Sequence, residues 1–188
     1  MSGTPTVIRE KQEIGLPVTD FALPLISGEG QRTLADFLVG KQGAVVLFWS
    51  GVCSHCLRYD DYLNRFAERH PDLGLVAVAS RHGESADMIR ATAAERKLNF
   101  PIVHDPPGAV ARQYYTQQTP RAFLIDASRK LLYRGALDNY KFPEDSEYQA
   151  YLEPAIASFR SGEPIARTET ASFGCAIQSV YYILPKLL

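Results

Sequence analysis

Cys53, Ser54, His55 and Cys56 place two thiols three positions apart, and a third thiol, Cys175, stands alone near the far end of the chain. Three positions are almost one helical turn, so two sulfurs at that spacing can close a short disulfide ring. A thiolate is the attacking species in disulfide exchange, so the question is which sulfur becomes the anion. Cys53 is expected at or just before a helix start, exposed, where unpaired N–H groups and the positive end of the helix dipole favour thiolate. Cys56 is expected one turn further in, shielded, and suited to resolving a mixed disulfide. His55 lies between them, and an imidazolium there would favour the thiolate and so the reduced pair. Half of a zinc site, or two inert core cysteines, are the competing readings of the pair. A structural zinc needs four ligands, however, and no second Cys-x-x-Cys or His-x-x-x-His is present.

The elements that must hold these residues are visible as changes of hydrophobic period. Ala44 to Trp49 is an unbroken apolar run rich in β-branched and aromatic residues, the mark of a central strand. After the short turn Ser50-Gly51-Val52, the positions of Cys56, Tyr59, Leu63, Phe66 and Ala67 predict one helix running to His70-Pro71. Leu75 to Ala79 predicts a second buried strand, Ser85 to Lys97 a helix, Phe100 to Val103 a brief strand, and Ala109 to Tyr115 another helix. Ala122–Asp126 and Leu131–Ala136, only four residues apart, predict an antiparallel hairpin. Before the dithiol, Asp20 to Ile26 with its following Ser-Gly-Glu-Gly-Gln predicts an edge hairpin, and Thr33 to Leu38 one or two helical turns. A last helical face runs from Tyr148 to Phe159, with Pro154 either kinking it or marking its first turn. The fold class is therefore α/β: a central mixed sheet flanked by helices, with an N-terminal hairpin extension.

The chain has 188 residues, 46% of them hydrophobic and 22% charged, which fits one domain. Residues 1–14 are expected to be a flexible arm, 15–162 the domain, and 163–188 a tail carrying the third Cys and packed on the domain or on a partner. A formal net charge of −1 lacks the basic excess that phosphate neutralisation requires, so nucleic acid is not expected as a partner. No apolar stretch reaches the roughly 18 residues of a membrane span, and the N-terminus does not read as a secretory signal. A cytoplasmic location follows for the sequence as written, a periplasmic or other extracytoplasmic one if a leader was removed. Three cysteines are too few, and odd in number, for a secreted disulfide framework. His70, His82 and His104 are expected at the surface.

The strand, Cys-x-x-Cys, helix, strand and helix between Val45 and Ile125, followed by Thr119-Pro120 before Phe123-Leu-Ile-Asp126, resemble the thioredoxin-like redoxins of the thiol-disulfide oxidoreductase and peroxiredoxin-like superfamily. Phe173-Gly-Cys-Ala-Ile177 resembles a subgroup whose chains end in a Gly-Cys motif. The resemblance implies a cis Pro120 facing the disulfide, with the backbone at Thr119 pairing with an extended substrate segment. Trp49 and Ser50 flank the active-site turn, Trp49 chiefly as strand packing. The positions where such proteins carry an acidic group near the dithiol hold Leu47 and Tyr59 here, which leaves Asp60 as the candidate proton acceptor. The first expected function is disulfide exchange through a mixed disulfide, with Cys53 attacking and Cys56 resolving. The partners are then a protein or small-molecule disulfide and a thiol electron donor or acceptor, with no cofactor and a homodimer through the tail as a candidate assembly. The pair's potential is expected on the oxidising side of thioredoxin, between about −270 and −120 mV.

A thiol peroxidase is the alternative, with Cys53 peroxidatic and Cys56 or Cys175 resolving. Ser50 fits the hydroxyl that peroxiredoxins carry three residues before their Cys. Their active-site Pro falls at Val46, however, and their Arg at Pro120, one residue from Arg121. A Cu(I) carrier using the two thiolates and His55 is the third reading. Cys175 is a candidate auxiliary thiol, set against a structural cysteine or an intermolecular link.

Overall fold

The computed structural model describes residues 12–177. Residues 1–11 and 178–188 lie outside that range. The fold is built on the run that carries the dithiol at its end. Strand β3 (Gly43–Trp49) is buried at every position, because the sheet is covered on both faces. It pairs in parallel with β4 (Leu73–Ala79), which pairs in parallel with β5 (Ile102–His104). On its other side β3 runs antiparallel to β7 (Arg121–Asp126), which pairs with β8 (Leu131–Gly135), giving the order β5-β4-β3-β7-β8. Strand β1 (Ala22–Pro24) and β2 (Gln31–Thr33) form the separate hairpin at the N-terminal end, followed by a single 3-10 turn at Ala35–Phe37.

Successive side chains of a strand point to opposite faces, and two cores follow from that alternation. Val45, Leu47 and Trp49 join Ala122 and Leu124 in the core that includes Cys53 and Cys56. Ala44, Val46 and Phe48 join Phe123 and Ile125 in the other, with Val110, Ala111 and Tyr114 from α5 (Ala109–Gln113). Helix α4 (Ala86–Glu95) is capped by Ser85, whose Oγ accepts from the Met88 N–H, and contributes Ile89 to the dithiol-side core. Helix α6 (Leu152–Ser161) contributes Leu152, Ala155 and Ile156 to the same core. Pro154 sits in the first turn of α6, where a missing N–H removes no helical bond.

Two expectations are corrected here. The single helix after the dithiol is three short ones, α1 (Ser54–Leu57), α2 (Asp60–Asn64) and α3 (Phe66–Arg69). The breaks fall at Tyr59 and Arg65, both near φ −90° to −100° and ψ 0°. Tyr59 is turned so that its hydroxyl donates to Asp138 Oδ1 at 2.7 Å, and Asp60 reaches Arg96. Cys56, Tyr59, Leu63 and Phe66 still face inward, whereas Ala67 is exposed. Order also begins within the expected arm of residues 1–14: Gln12 is buried and its side-chain amide donates to the Gln113 carbonyl at 2.6 Å.

Candidate active site

Cys53 is the N-cap residue of α1, with extended backbone (φ −88°, ψ 112°), and its carbonyl accepts from the Cys56 and Leu57 N–H groups. The turn that delivers it needs Gly51. A Cβ there would lie 2.8 Å from Glu84 Oε1 and 3.0 Å from the Thr92 methyl, so no larger residue fits without movement. The Gly51 N–H donates to Glu84 Oε1 at 2.6 Å and its carbonyl accepts from Arg96 Nη1 at 2.8 Å. Ser54 is exposed at the helix start. Thr119–Pro120 is a cis peptide bond, and the Thr119 carbonyl lies 3.3 Å from the Cys53 sulfur.

Cys53 is not the exposed sulfur that its place before a helix suggested: its residue surface is only 1% exposed. The cover comes from 122 residues further along, where β9 (Cys175–Ala176) pairs antiparallel with β6 (Gln118–Thr119), so that Cys175 stands opposite Thr119. Gly174 is pressed so closely on this segment that a Cβ would fall 1.8 Å from the Thr119 carbonyl oxygen. Ile177, buried in the second core, anchors the far end through its N–H to the Gln117 carbonyl and its carbonyl to the His82 N–H.

The two motif sulfurs have opposite acidities. A hydrogen bond from the Cys56 thiol is the main force that brings Cys53 down to about 3, with further contributions from Cys175 and Thr119. Burial opposes the anion but does not outweigh these donors. Cys56 moves the other way, its thiol held protonated by burial first and by the neighbouring Cys53 second. Burial and Cys53 likewise raise Cys175, with Arg81 opposing. A four-residue α1 offers little dipole, so sulfur donors do here what the helix was expected to do.

His55 lies on the same side as the three thiols, its ring stacked on Tyr140 at 4.8 Å between centroids. Its Nδ1 stands 3.9 Å from the Cys175 sulfur, and one ligand atom each of Cys53, His55 and Cys175 fall within 4.8 Å of one another. Asp60 is held by the Arg96 guanidinium on both oxygens. Trp49 is fully buried, edge-on to Phe100 at 6.3 Å, a packing position. Ser50 is buried and its hydroxyl has no partner among the described residues. Arg121 sits over the Phe123 ring, on the face of the sheet opposite the dithiol.

Several features were not legible in advance. Glu84 is 4% exposed, and its Oε2 has no partner among the described residues, so a buried carboxyl does lie against the active-site turn. No motif surrounds it in the sequence; only the contact with Gly51 shows it. His70 and His104 are buried rather than superficial. His70 donates from Nε2 to Glu153, since Nδ1 accepts from Arg160 at 3.0 Å, and His104 Nε2 bonds the Glu84 carbonyl at 3.0 Å. His82 is exposed as expected.

A buried strand ending in a dithiol at a helix start, with a cis Thr-Pro beside the first sulfur, defines a thioredoxin-like redoxin, an oxidoreductase. Residues 14–134 match the AhpC/TSA family, and the chain belongs to that family. It is 28% identical over 123 residues to the thiol-disulfide oxidoreductase ResA of Bacillus thuringiensis subsp. konkukian, covering 65% of this chain and 69% of that one. Among solved structures it is similar to a hypothetical protein of Sinorhizobium meliloti 1021 (27% identity, TM-score 0.77, 89% of this chain and 94% of that one). A Chlorobium tepidum structure described as a thiol:disulfide interchange protein DsbE is 26% identical, with TM-score 0.63 over 78% of this chain and 96% of that one. No helix among the described residues is long and apolar enough to cross a membrane.

Proposed function

We propose that the chain is a dithiol-disulfide oxidoreductase whose working groups are Cys53 and Cys56. The observation that carries this reading is the geometry at the head of α1: Cys53 is its N-cap residue, 3.3 Å from the carbonyl that precedes cis Pro120, and Cys56 lies one turn further in, its hydrogen bond lowering Cys53 while its own thiol stays protonated. Cys53 thiolate attacks one sulfur of a substrate disulfide, forming a mixed disulfide and releasing the other sulfur as thiolate. Cys56, on losing its proton, attacks Cys53, closes the Cys53–Cys56 disulfide and frees the second substrate thiol. The cycle runs in reverse when the pair starts oxidised.

The surroundings favour a protein substrate. Val52 and Leu57 beside the motif, Tyr140 stacked on His55, and Phe173 beside Gly174 are all exposed, which gives the dithiol an apolar rim suited to an extended peptide. The peroxidase reading draws support from the family and from Ser50. It draws none from Arg121, which faces the opposite core.

Reduction of insulin disulfides by the reduced protein tests the proposal. Cys53→Ser is expected to fall to the uncatalysed background, and the double variant Cys56→Ser/Cys175→Ser, which lacks both neighbouring thiols, to accumulate mixed disulfides that a reducing gel releases. Unchanged turnover in both variants would overturn it. A thiolate this stable favours the reduced pair, so titration against glutathione should place the potential above about −270 mV.

A further inference from the structure

Any disulfide that reacts with Cys53 must reach a sulfur whose residue is 1% exposed, and the space in front of it is already filled. It is filled by an extended strand bonded to Gln118 and Thr119, by a glycine whose Cβ would collide with the Thr119 carbonyl, and by a thiol within 4.8 Å of the Cys53 sulfur. Thr119 Oγ1 donates to the Cys175 carbonyl at 3.4 Å, so the backbone of Cys175 is fixed on the segment that contacts Cys53. Cys53 and Cys56 are both buried, whereas Cys175 is partly exposed. We propose that β9 is a resident substrate mimic: Cys175 holds the place of an incoming substrate sulfur and exchanges into the Cys53–Cys56 disulfide to give a Cys53–Cys175 disulfide.

In that step the Cys175 thiol gives its proton to His55 Nδ1, 3.9 Å away, and the thiolate attacks the Cys53 sulfur. The Cys53–Cys56 bond breaks, the Cys53–Cys175 bond forms, and Cys56 leaves as a thiolate that takes up a proton. One disulfide replaces another, so no oxidant or reductant is consumed. The strand must shift to bring the sulfurs from within 4.8 Å to the roughly 2.05 Å of a disulfide. A two-residue ladder permits this more readily than the central sheet would. The oxidised pair then presents a sulfur that an external thiol can reach, with no need to open the core around Cys56. A substrate strand, by contrast, has to displace β9 before it can pair with Thr119.

This inference rests on the dithiol reading, and the test separates the two. The full chain with Cys56→Ser is oxidised at low micromolar concentration with excess oxidised glutathione in the presence of a chelator, then digested unreduced and mapped by mass spectrometry. The expected product is a monomer carrying a Cys53–Cys175 disulfide and no free thiol. A stable Cys53–glutathione adduct with Cys175 free would overturn the substrate mimic while leaving Cys53 the nucleophile. Tight stoichiometric zinc uptake by the reduced variant without disulfide formation would also overturn it, assigning Cys53, His55 and Cys175 to a metal instead. An inert Cys53 in both this variant and the wild type would sink the dithiol reading itself. A second variant, Gly174→Val, pushes β9 off Thr119. Its Cys53 should alkylate faster by about tenfold or more in the reduced state, and its Cys53–Cys175 product should vanish. An unchanged alkylation rate would count against the cover.

Discussion

The central sheet and the β6–β9 rim are both hydrogen-bonded strand pairs, yet they are held by different means. In the first, β3 is buried at all seven positions and each face of the sheet has its own core. In the second, two residues pair with two, one glycine permits the approach, and one buried side chain, Ile177, anchors the end. Opening a region costs in proportion to the apolar surface and bonds it gives up, so the rim belongs to the part of the molecule that opens first. The sheet thus fixes where the dithiol stands, and the rim lies over Cys53.

The largest effect should come from the sheet side. Phe66 is fully buried against the dithiol-side core, and Phe66→Ala is expected to cost about 3–5 kcal/mol in denaturant unfolding. A cost under about 1 kcal/mol would deny that this core is one packed unit. Ile177→Ala is expected to cost the global transition less than the roughly 2–5 kcal/mol of an ordinary core Ile→Ala, because the loss cannot exceed the free energy of lifting the strand. The same variant should speed alkylation of Cys53; a full core-sized loss with no change in that rate would place the rim inside the cooperative sheet. Native-state hydrogen exchange sharpens the contrast without mutation. The Ile177 amide should exchange well before the β3 and β4 amides, and equal protection would erase the distinction.

A smaller effect is carried by pH. Cys53 titrates near 3 in the folded protein against about 8.5 in the unfolded chain. Its thiolate therefore adds stability to the reduced form that is complete above about pH 8.5 and is lost as pH falls toward 3. Cys56, raised, adds nothing that varies below about pH 8.5, so the two do not cancel there. The stability of the reduced protein relative to the disulfide form should decline steadily between pH 8 and pH 4, as followed by thermal melts of both forms. A flat difference would contradict the assignment. The smallest expected change is Tyr59→Phe, which removes one bond of 2.7 Å to Asp138 and should cost about 1 kcal/mol.

What the sequence disclosed and what it concealed divide along the same line. Ala44–Trp49, Leu75–Ala79 and the closely spaced runs of β7 and β8 are local patterns, and local patterns fix strands buried on both faces. The dithiol at a helix start is equally local. Three features depended on residues far apart in the chain and so left no periodic trace. Tyr59 breaks the helix in reaching Asp138, Glu84 comes under Gly51 from beyond β4, and Cys53 is covered by a strand 122 residues away. His70 misled for the same reason: next to a proline at a helix end it reads as exposed, whereas Glu153 and Arg160, both on α6, enclose it.

Disulfide exchange by this pair depends on Cys53 being an anion at neutral pH while Cys56 beside it keeps its proton. The pH dependence of iodoacetamide labelling in the fully reduced protein, with each modified cysteine identified by mass spectrometry, reads both states at once. Cys53 should label at a rate that is flat from pH 8 down to about pH 5, with Cys56 unlabelled throughout. A Cys53 rate that rises with a midpoint near 8.5, or Cys56 labelling at the same pace, would contradict it.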